Sequence, residues 1–468
     1  MMRNILVVPG LAILLSACIN LAPDYVRPAA PVPAVWSQSS KQGTVQDGAD
    51  AIAWHRFFMD PRLREVIELT LANNRDLRVA VLNIERARGQ YQIQDAARYP
   101  ALGAAADSSV RRMPASQGAS DDAAIARSQS VQLGFNAYEL DFFGRLKNLS
   151  AAALATYQFN VETRRSIQIS LVAEVASAWL TLAADNERLL LARDTLKSLQ
   201  ISYDLSQRSH AIGATSGLDL STAQASVEAA QVDLGDFSSR VQRDLNALNL
   251  LAGAGVPMHL LPDAIPQASA ALLATPAELS SELLLGRPDV LAAEQTLMAA
   301  NADIGAARAA FFPSITLTAA GGAASSSLAG LFKPGSGAWS FLPSINIPIF
   351  NAGRNRASLD VAKVNKEIEI ANYEKAIQIA FREVADALAE RATLDQRLGA
   401  QQRLVEASDK SYRLSEARYR SGIDSYLNSL VAERSWYGAR QNLITLRLLE
   451  QNNRINLYKA MGGGWSSS

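Results

Sequence analysis

The chain has 468 residues, enough to bury large cores, and its 45 basic and 45 acidic side chains cancel, so nothing marks it as a partner of a nucleic-acid polyanion. Charged residues make up 19%, apolar residues 49% and aromatics only 7%, so the apolar content is carried by Ala and Leu, as suits closely packed helices. A single cysteine excludes an intrachain disulfide and a cysteine-based metal cluster.

At the N-terminus, Arg3 and the apolar stretch Ile5 to Leu15 read as a signal peptide over 1–17, too short to be a comfortable membrane-spanning helix. The stretch ends in Leu15-Ser16-Ala17-Cys18, which resembles a bacterial lipobox and makes Cys18 the expected site of lipidation. By the same resemblance, Ile19 rather than an aspartate at the next position implies delivery to the outer membrane. Residues 18–60 then read as a lipidated strap and equatorial segment. Proline is dense there, at Pro23, Pro28, Pro31 and Pro33, which predicts extended backbone.

Asp60-Pro61 is a helix start, with Asp as N-cap and Pro in the first turn, and one amphipathic helix is expected from Pro61 to about Arg98. The period then changes from 3.6 to 2. Val131, Leu133, Phe135 and Ala137 alternate with small polar residues, as do Ile315, Leu317 and Ala319, and Trp339, Phe341, Ile345, Ile347 and Ile349. With a weaker version from Leu102 to Val110, this gives two strands in about 101–142 and two in about 314–350. One face is apolar and the other is Ser, Thr, Gln and Asn, as in a barrel wall between lipid and water. Four strands cannot close a barrel, so several protomers must contribute. Pro343 and Pro348 predict a bend or bulge in the last strand.

From Arg145 to Ile212 there is no Gly or Pro, which predicts a single helix over about 144–212 with a coiled-coil-like stripe at Ile167, Leu171, Val175, Ala178 and Leu182. At 1.5 Å per residue it would be about 100 Å long, and its charges suit an aqueous space. Gly213 and Ser216 read as a C-cap glycine followed by an N-cap hydroxyl, and a return helix follows to about 252. After an equatorial linker, 253–280, the pattern recurs. Gly144-Arg145 falls on Gly353-Arg354, Tyr203-Asp204-Leu205-Ser206 on Tyr412-Arg413-Leu414-Ser415, and Gly213 on Gly422, all at an offset of 209. A fixed long period means duplicated units. The repeats are 61–252 and 281–460, the second with its long helix at about 354–421, and 461–468 is a tail.

The two helices flanking the strands and the turn together match the long helix in length, so they are expected to stack end to end beside it. No catalytic constellation is legible. His55, His210 and His259 are scattered, and no phosphate loop, paired-cysteine motif or nucleophile elbow occurs, so neither enzyme, cofactor nor metal is expected.

Behind the lipobox, this duplicated order resembles the TolC/OprM family of outer-membrane efflux channels, in its lipoprotein (NodT-type) subgroup. The local sequence is similar too. Leu21-Ala22-Pro23-Asp24-Tyr25 with Arg27-Pro28 resembles the start of mature members, and Gly286-Arg287-Pro288-Asp289-Val290, Phe312-Pro313, Pro348-Ile349-Phe350-Asn351-Ala352-Gly353-Arg354 and Leu457-Tyr458-Lys459-Ala460 resemble second-unit signatures. The resemblance implies a mainly α fold with a β-barrel part: a homotrimer with a 12-stranded β-barrel in the outer membrane, continuous with a 12-helix α-barrel in the periplasm. It implies a passive exit duct for small molecules, lipid-anchored and closed at its tip at rest. A periplasmic membrane-fusion adaptor and an inner-membrane pump of RND type would be its partners, besides outer-membrane lipid. By the same resemblance Leu427, Val431 and Arg434, with Asp424 nearer the tip, are gate candidates, and Gly213, Ser216, Gly422 and Ser425 are adaptor-contact tips. Val431 departs from the pattern, which has an aspartate there. A type I secretion channel shares the fold, and a pore-less periplasmic coiled-coil scaffold is the alternative from another class.

Overall fold

The computed structural model describes residues 19–34, 36, 53–114, 124–266, 272 and 281–463. In chain order the helices and strands are α1 (Trp54–Phe57), α2 (Pro61–Asn73), α3 (Arg75–Ala96), β1 (Leu102–Met113), β2 (Ala124–Leu140), α4 (Arg145–Ala211), α5 (Gly217–Ala252), α6 (Pro288–Ala309), β3 (Ser314–Ser325), β4 (Gly337–Asn346), α7 (Arg354–Arg420) and α8 (Tyr426–Ala460). The two long helices, α4 and α7, have 67 residues each. Two compact units emerge: the described residues up to Ala29 with Asn83–Val161 and Ala292–Tyr373, and Ala30–Leu82 with Glu162–Leu291 and everything from Glu374 onward.

The first unit holds an antiparallel four-stranded sheet in the order β1-β2-β3-β4, so the hairpins of the two repeats pair through β2 and β3. The alternation predicted through Ala137 breaks there. The register shifts between Phe135 and Tyr138, which places Tyr138 opposite Leu317, and Ala137 adopts φ 53°. A bulge leaves its extra residue outside the ladder. Here the Ala137 N–H is satisfied by the Thr318 hydroxyl at 3.0 Å, which itself donates to Asn136 at 3.2 Å. At Pro343 the expectation is corrected. The β3–β4 register runs unbroken from Ser314–Asn346 to Ala323–Gly337, with Pro343 opposite Leu317, and Pro348 lies beyond the strand. A proline is tolerated on an edge strand where its missing donor falls on the unpaired side.

The extended strap lies along α6. Glu294, Asn301 and Arg308 recur every seventh residue of that helix and grip it in turn. Asn301 donates to the Pro23 carbonyl at 2.8 Å and Arg308 to that of Leu21 at 3.0 Å. The buried Glu294 carboxylate accepts two bonds from Arg27, at 2.7 and 2.6 Å, and one from the Tyr25 hydroxyl at 2.9 Å. A Cβ on Gly305 would stand 2.8 Å from Ala22 Cα, so only glycine lets the strap backbone this close. Just past β2, the Phe142 carbonyl accepts a hydrogen bond from the Ile19 N–H of the strap at 3.2 Å. Cys18, the expected lipidation site, lies outside the described residues.

The second unit carries the main core. Phe57, Phe58, Leu63, Ile67, Trp179, Leu248 and Tyr458 are buried together, with the Phe57 and Tyr458 rings stacked at 3.9 Å. The linker contributes to it through Val256, Leu260 and Leu272, and the Trp179 indole donates to the Leu260 carbonyl at 2.9 Å. The single helix expected over 61–98 is two helices. Asn74 breaks it in an extended conformation, with its side chain capping Leu77 N at 2.9 Å and donating to the Leu251 carbonyl at 2.8 Å. One asparagine thus serves as N-cap of α3 and as partner for the C-terminal end of α5.

Candidate functional site

Each long helix ends in the same backbone device. Gly213 and Gly422 have φ of 73° and 74°. Gly213 N bonds to His210 O and Ala214 N to Ser209 O, while Gly422 N bonds to Tyr419 O and Ile423 N to Arg418 O. This paired pattern satisfies the orphan carbonyls of a helix end and needs a left-handed residue that glycine supplies without steric cost. The side chains around the two turns differ. Ser216 forms a reciprocal capping box with Asp219. Ser425 is the N-cap of α8, and its side chain makes no capping bond. Asp424 instead receives two bonds from Arg418, at 2.6 and 3.1 Å, and this ion-paired contact holds its carboxyl below the usual carboxylate range.

The first three turns of α8 have two faces. Leu427, Val431 and Arg434 follow at i, i+4 and i+7 and form one exposed stripe. Tyr426, Leu430, Glu433 and Tyr437 form the neighbouring stripe, about 100° round the helix, and turn toward α4 and α5, with Arg434 at the border between the two. There Tyr426 and Leu430 pack with Leu199, Ala223, Val227 and Ala230. The structure thus brings three of the four gate candidates onto one surface of α8 and leaves Asp424 in the turn, paired to its own helix end.

Sequence reading missed the polar contacts that tie the two helix pairs together. Ser198 and Tyr412 hydroxyls stand 3.1 Å apart, and those of Ser206 and Tyr419 3.4 Å apart. Arg434 donates to the Ser226 hydroxyl at 3.3 Å and Tyr437 to the Asp233 carboxylate at 3.0 Å. Farther along, Arg447 donates to Glu187 at 3.0 Å and Arg188 to Thr445 at 2.8 Å. Burial pushes the Tyr412 phenol up to about 12, and burial with the Asp233 charge pushes that of Tyr437 higher still, so both remain hydroxyl donors. The signal available was the spacing: Tyr412 and Tyr419 stand seven apart on α7, and the buried stripe of α8 repeats at helical period.

One carboxyl pair gives the helix bundle a pH dependence. Asp185 on α4 is buried and bound to Arg188 at 2.5 Å, and Asp244 on α5 faces it. Burial, then the Asp185 charge and a hydrogen bond with it, raise Asp244 from 3.8 to about 6, against the opposing pull of Arg243 and Arg188. A carboxyl raised in the folded state stabilises fully below its unfolded value and loses that contribution as pH rises through the folded value. Its share of stability is therefore present below about pH 4 and gone above about pH 6. Thermal midpoints measured across this window should fall for the unaltered protein more than for Asp244→Asn. Parallel curves for the two proteins would show that the pair does not titrate.

Comparison with known proteins converges on one family. The profile of the outer membrane efflux protein family matches residues 66–254 and 279–463. The chain is 46% identical to a Pseudomonas putida protein named probable efflux pump outer membrane protein TtgC, over 99% of this chain and 96% of the relative. A solved membrane protein from Pseudomonas aeruginosa superposes with a TM-score of 0.90 at 42% identity, covering 96% of this chain and 98% of that one. The open state of the Neisseria gonorrhoeae MtrE outer membrane channel superposes with a TM-score of 0.87 at 39% identity, covering 96% and 99%. With two blocks that match the family and one continuous fold shared with solved channels, this chain belongs to the outer membrane efflux protein family and is an efflux channel of the cell outer membrane that extends into the periplasm.

Proposed function

We propose that three copies assemble into a passive duct, closed at rest, through which a periplasmic adaptor and an inner-membrane pump of RND type discharge small toxic molecules. The observation that carries this reading is the open sheet. Each chain supplies only four strands, whose faces divide into Ile315, Leu317, Phe341 and Ile345 on one side and Thr316, Thr318, Ser340 and Ser344 on the other. A single-chain barrel needs about eight strands, so β1 and β4 must pair with neighbouring copies, and three chains give twelve.

In this reading repeats 61–252 and 281–460 each supply one helix pair to the periplasmic barrel, Cys18 carries the lipid anchor, and Gly213, Ser216, Gly422 and Ser425 meet the adaptor. Leu427, Val431 and Arg434 narrow the pore as α8 of each copy turns its exposed stripe to the axis. Asp424 braces the turn through Arg418 rather than forming the narrowest ring. The chain supplies no chemistry, and the pump selects the cargo. Two measurements test this. Cells lacking the gene should accumulate a fluorescent pump substrate, and the purified protein in planar bilayers should conduct ions poorly. Free conductance by the unaltered protein would rule out a closed resting state.

A further inference from the structure

Between α4, α5 and α8 lies a cavity of about 110 Å³. Leu199, Ala229, Ala230 and Leu430 make its walls apolar, and Glu433, Asp233, Ser226, Arg434 and Tyr437 supply its polar groups. Glu433 is only 4% exposed. The Ser198 hydroxyl of α4 and the Tyr412 hydroxyl of α7 are within hydrogen-bonding reach of its carboxyl, with the Glu416 carboxylate and the Arg434 guanidinium also near. Its Oε1 is buried, and among the described residues it has no hydrogen-bond partner. The neighbouring Tyr426 hydroxyl is in the same condition. The other charges at the cavity are engaged: Arg434 with Ser226, and Asp233 with Tyr437. A buried acceptor without a donor is costly, and such a group in a polar cavity calls for an occupant that supplies the missing hydrogen.

We propose that this cavity is a binding site for a small primary alkylammonium ion, whose ammonium group donates to Glu433 Oε1 while its short chain lies against Leu199, Ala230 and Leu430. The size fits. A cavity of about 150 Å³ is enough for benzene, so one of this volume takes a chain of about three carbons and its head group. The charge fits as well. Two carboxyl groups and one guanidinium line the cavity, so an added cation offsets the remaining negative charge, and one of its N–H donors meets the Glu433 oxygen. Burial holds the Glu433 carboxyl above its usual range, and a bound ammonium would pull it back down, so binding should release protons. An occupant touches all three helices and thereby favours the arrangement in which α8 stays on α4 and α5.

The test uses the purified full-length protein in detergent, with thermal unfolding followed in propylammonium chloride, in tetrapropylammonium chloride and in sodium chloride at matched ionic strength. Propylammonium alone should raise the midpoint, and the rise should saturate at millimolar concentration. Glu433→Gln should bind about tenfold more weakly, the loss of roughly one charge-assisted contact. Ala230→Leu, which fills the cavity, should abolish the shift. An equal shift from tetrapropylammonium or sodium, an undiminished shift in both variants, or no saturable shift would each overturn the proposal. Should the variants fail to assemble, difference density from propylammonium-soaked crystals of the unaltered protein decides. Density at Glu433 supports the site, and its absence there removes it.

Discussion

Arg434→Ala is expected to raise the conductance of the purified channel about tenfold or more. In this structure the Arg434 guanidinium donates to Ser226 on α5, and in the proposed gate the residue also closes the exposed stripe that begins at Leu427. A hydrogen bond from a charged donor contributes about 1.5 kcal/mol, which corresponds to roughly tenfold in the ratio of open to closed states for each copy. If the three copies open together, the losses multiply. Leu427→Ala acts differently: in the proposed gate it removes bulk from the narrowed level and leaves the contacts between helix pairs intact. It should therefore raise the current through each channel more than the fraction of channels open. Single-channel recordings in planar bilayers separate the two quantities. Unchanged records for both variants would take these residues out of the gate and leave the polar contacts, Tyr437 with Asp233 among them, as structural ties.

The largest loss of stability is expected at Arg287. Its side chain is 7% exposed and makes four contacts: the Asp289 carboxylate at 3.0 and 2.6 Å, Glu383 on α7 at 2.8 Å, and the Ala460 carbonyl at the end of α8 at 2.5 Å. It thus joins the start of α6, the middle of α7 and the last turn of α8. Arg287→Ala strands the Glu383 and Asp289 carboxylates beside a cavity and leaves a helix-end carbonyl without a donor. Breaking a fully buried pair on one side costs about 3–5 kcal/mol, and because the carboxylates left here are 37% and 39% exposed, water screens them and the loss should be nearer about 2 kcal/mol. Arg287→Lys should recover little, because one ammonium cannot reproduce a planar fork that serves two carboxylates and a carbonyl at once. Denaturant titration of the detergent-solubilised protein measures both. A loss below about 1 kcal/mol for the alanine variant would mean that water satisfies the exposed carboxylates well enough to replace the arginine. The motif Gly286-Arg287-Pro288-Asp289-Val290, which the sequence offered only as a family signature, thereby has a physical reason.

Much of the fold was legible because it rests on local rules. The gap without Gly or Pro after Arg145 fixed α4 within a residue at each end, and the left-handed requirement at helix ends picked out Gly213 and Gly422. Alternation located all four strands. It failed at Ala137, because a bulge is set by the partner strand: Thr318 offers the hydroxyl that stabilises the extra residue, and nothing near Ala137 announces it. The break at Asn74 was missed for a similar reason. An asparagine within an apolar-periodic stretch is tolerated in many helices, and only the nearby Leu251 carbonyl makes it a junction.

The candidate site divides along the same line. The sequence by itself determined the two-repeat plan and the turn glycines, since these follow from spacing along one chain, while Leu427, Val431 and Arg434 came only from the resemblance to a family. Which side of α8 holds the helix pairs together, what Glu433 and Tyr437 face, and where Asp424 spends its charge were decided only by the tertiary structure. The contacts between helix pairs join residues some two hundred positions apart, such as Asp233 with Tyr437 and Ser226 with Arg434, whereas Asp424 pairs across its own turn with Arg418. Local propensity acts over a few residues and cannot specify which distant hydroxyl or carboxylate will stand opposite, so the pairing of polar groups waits on how the helices pack.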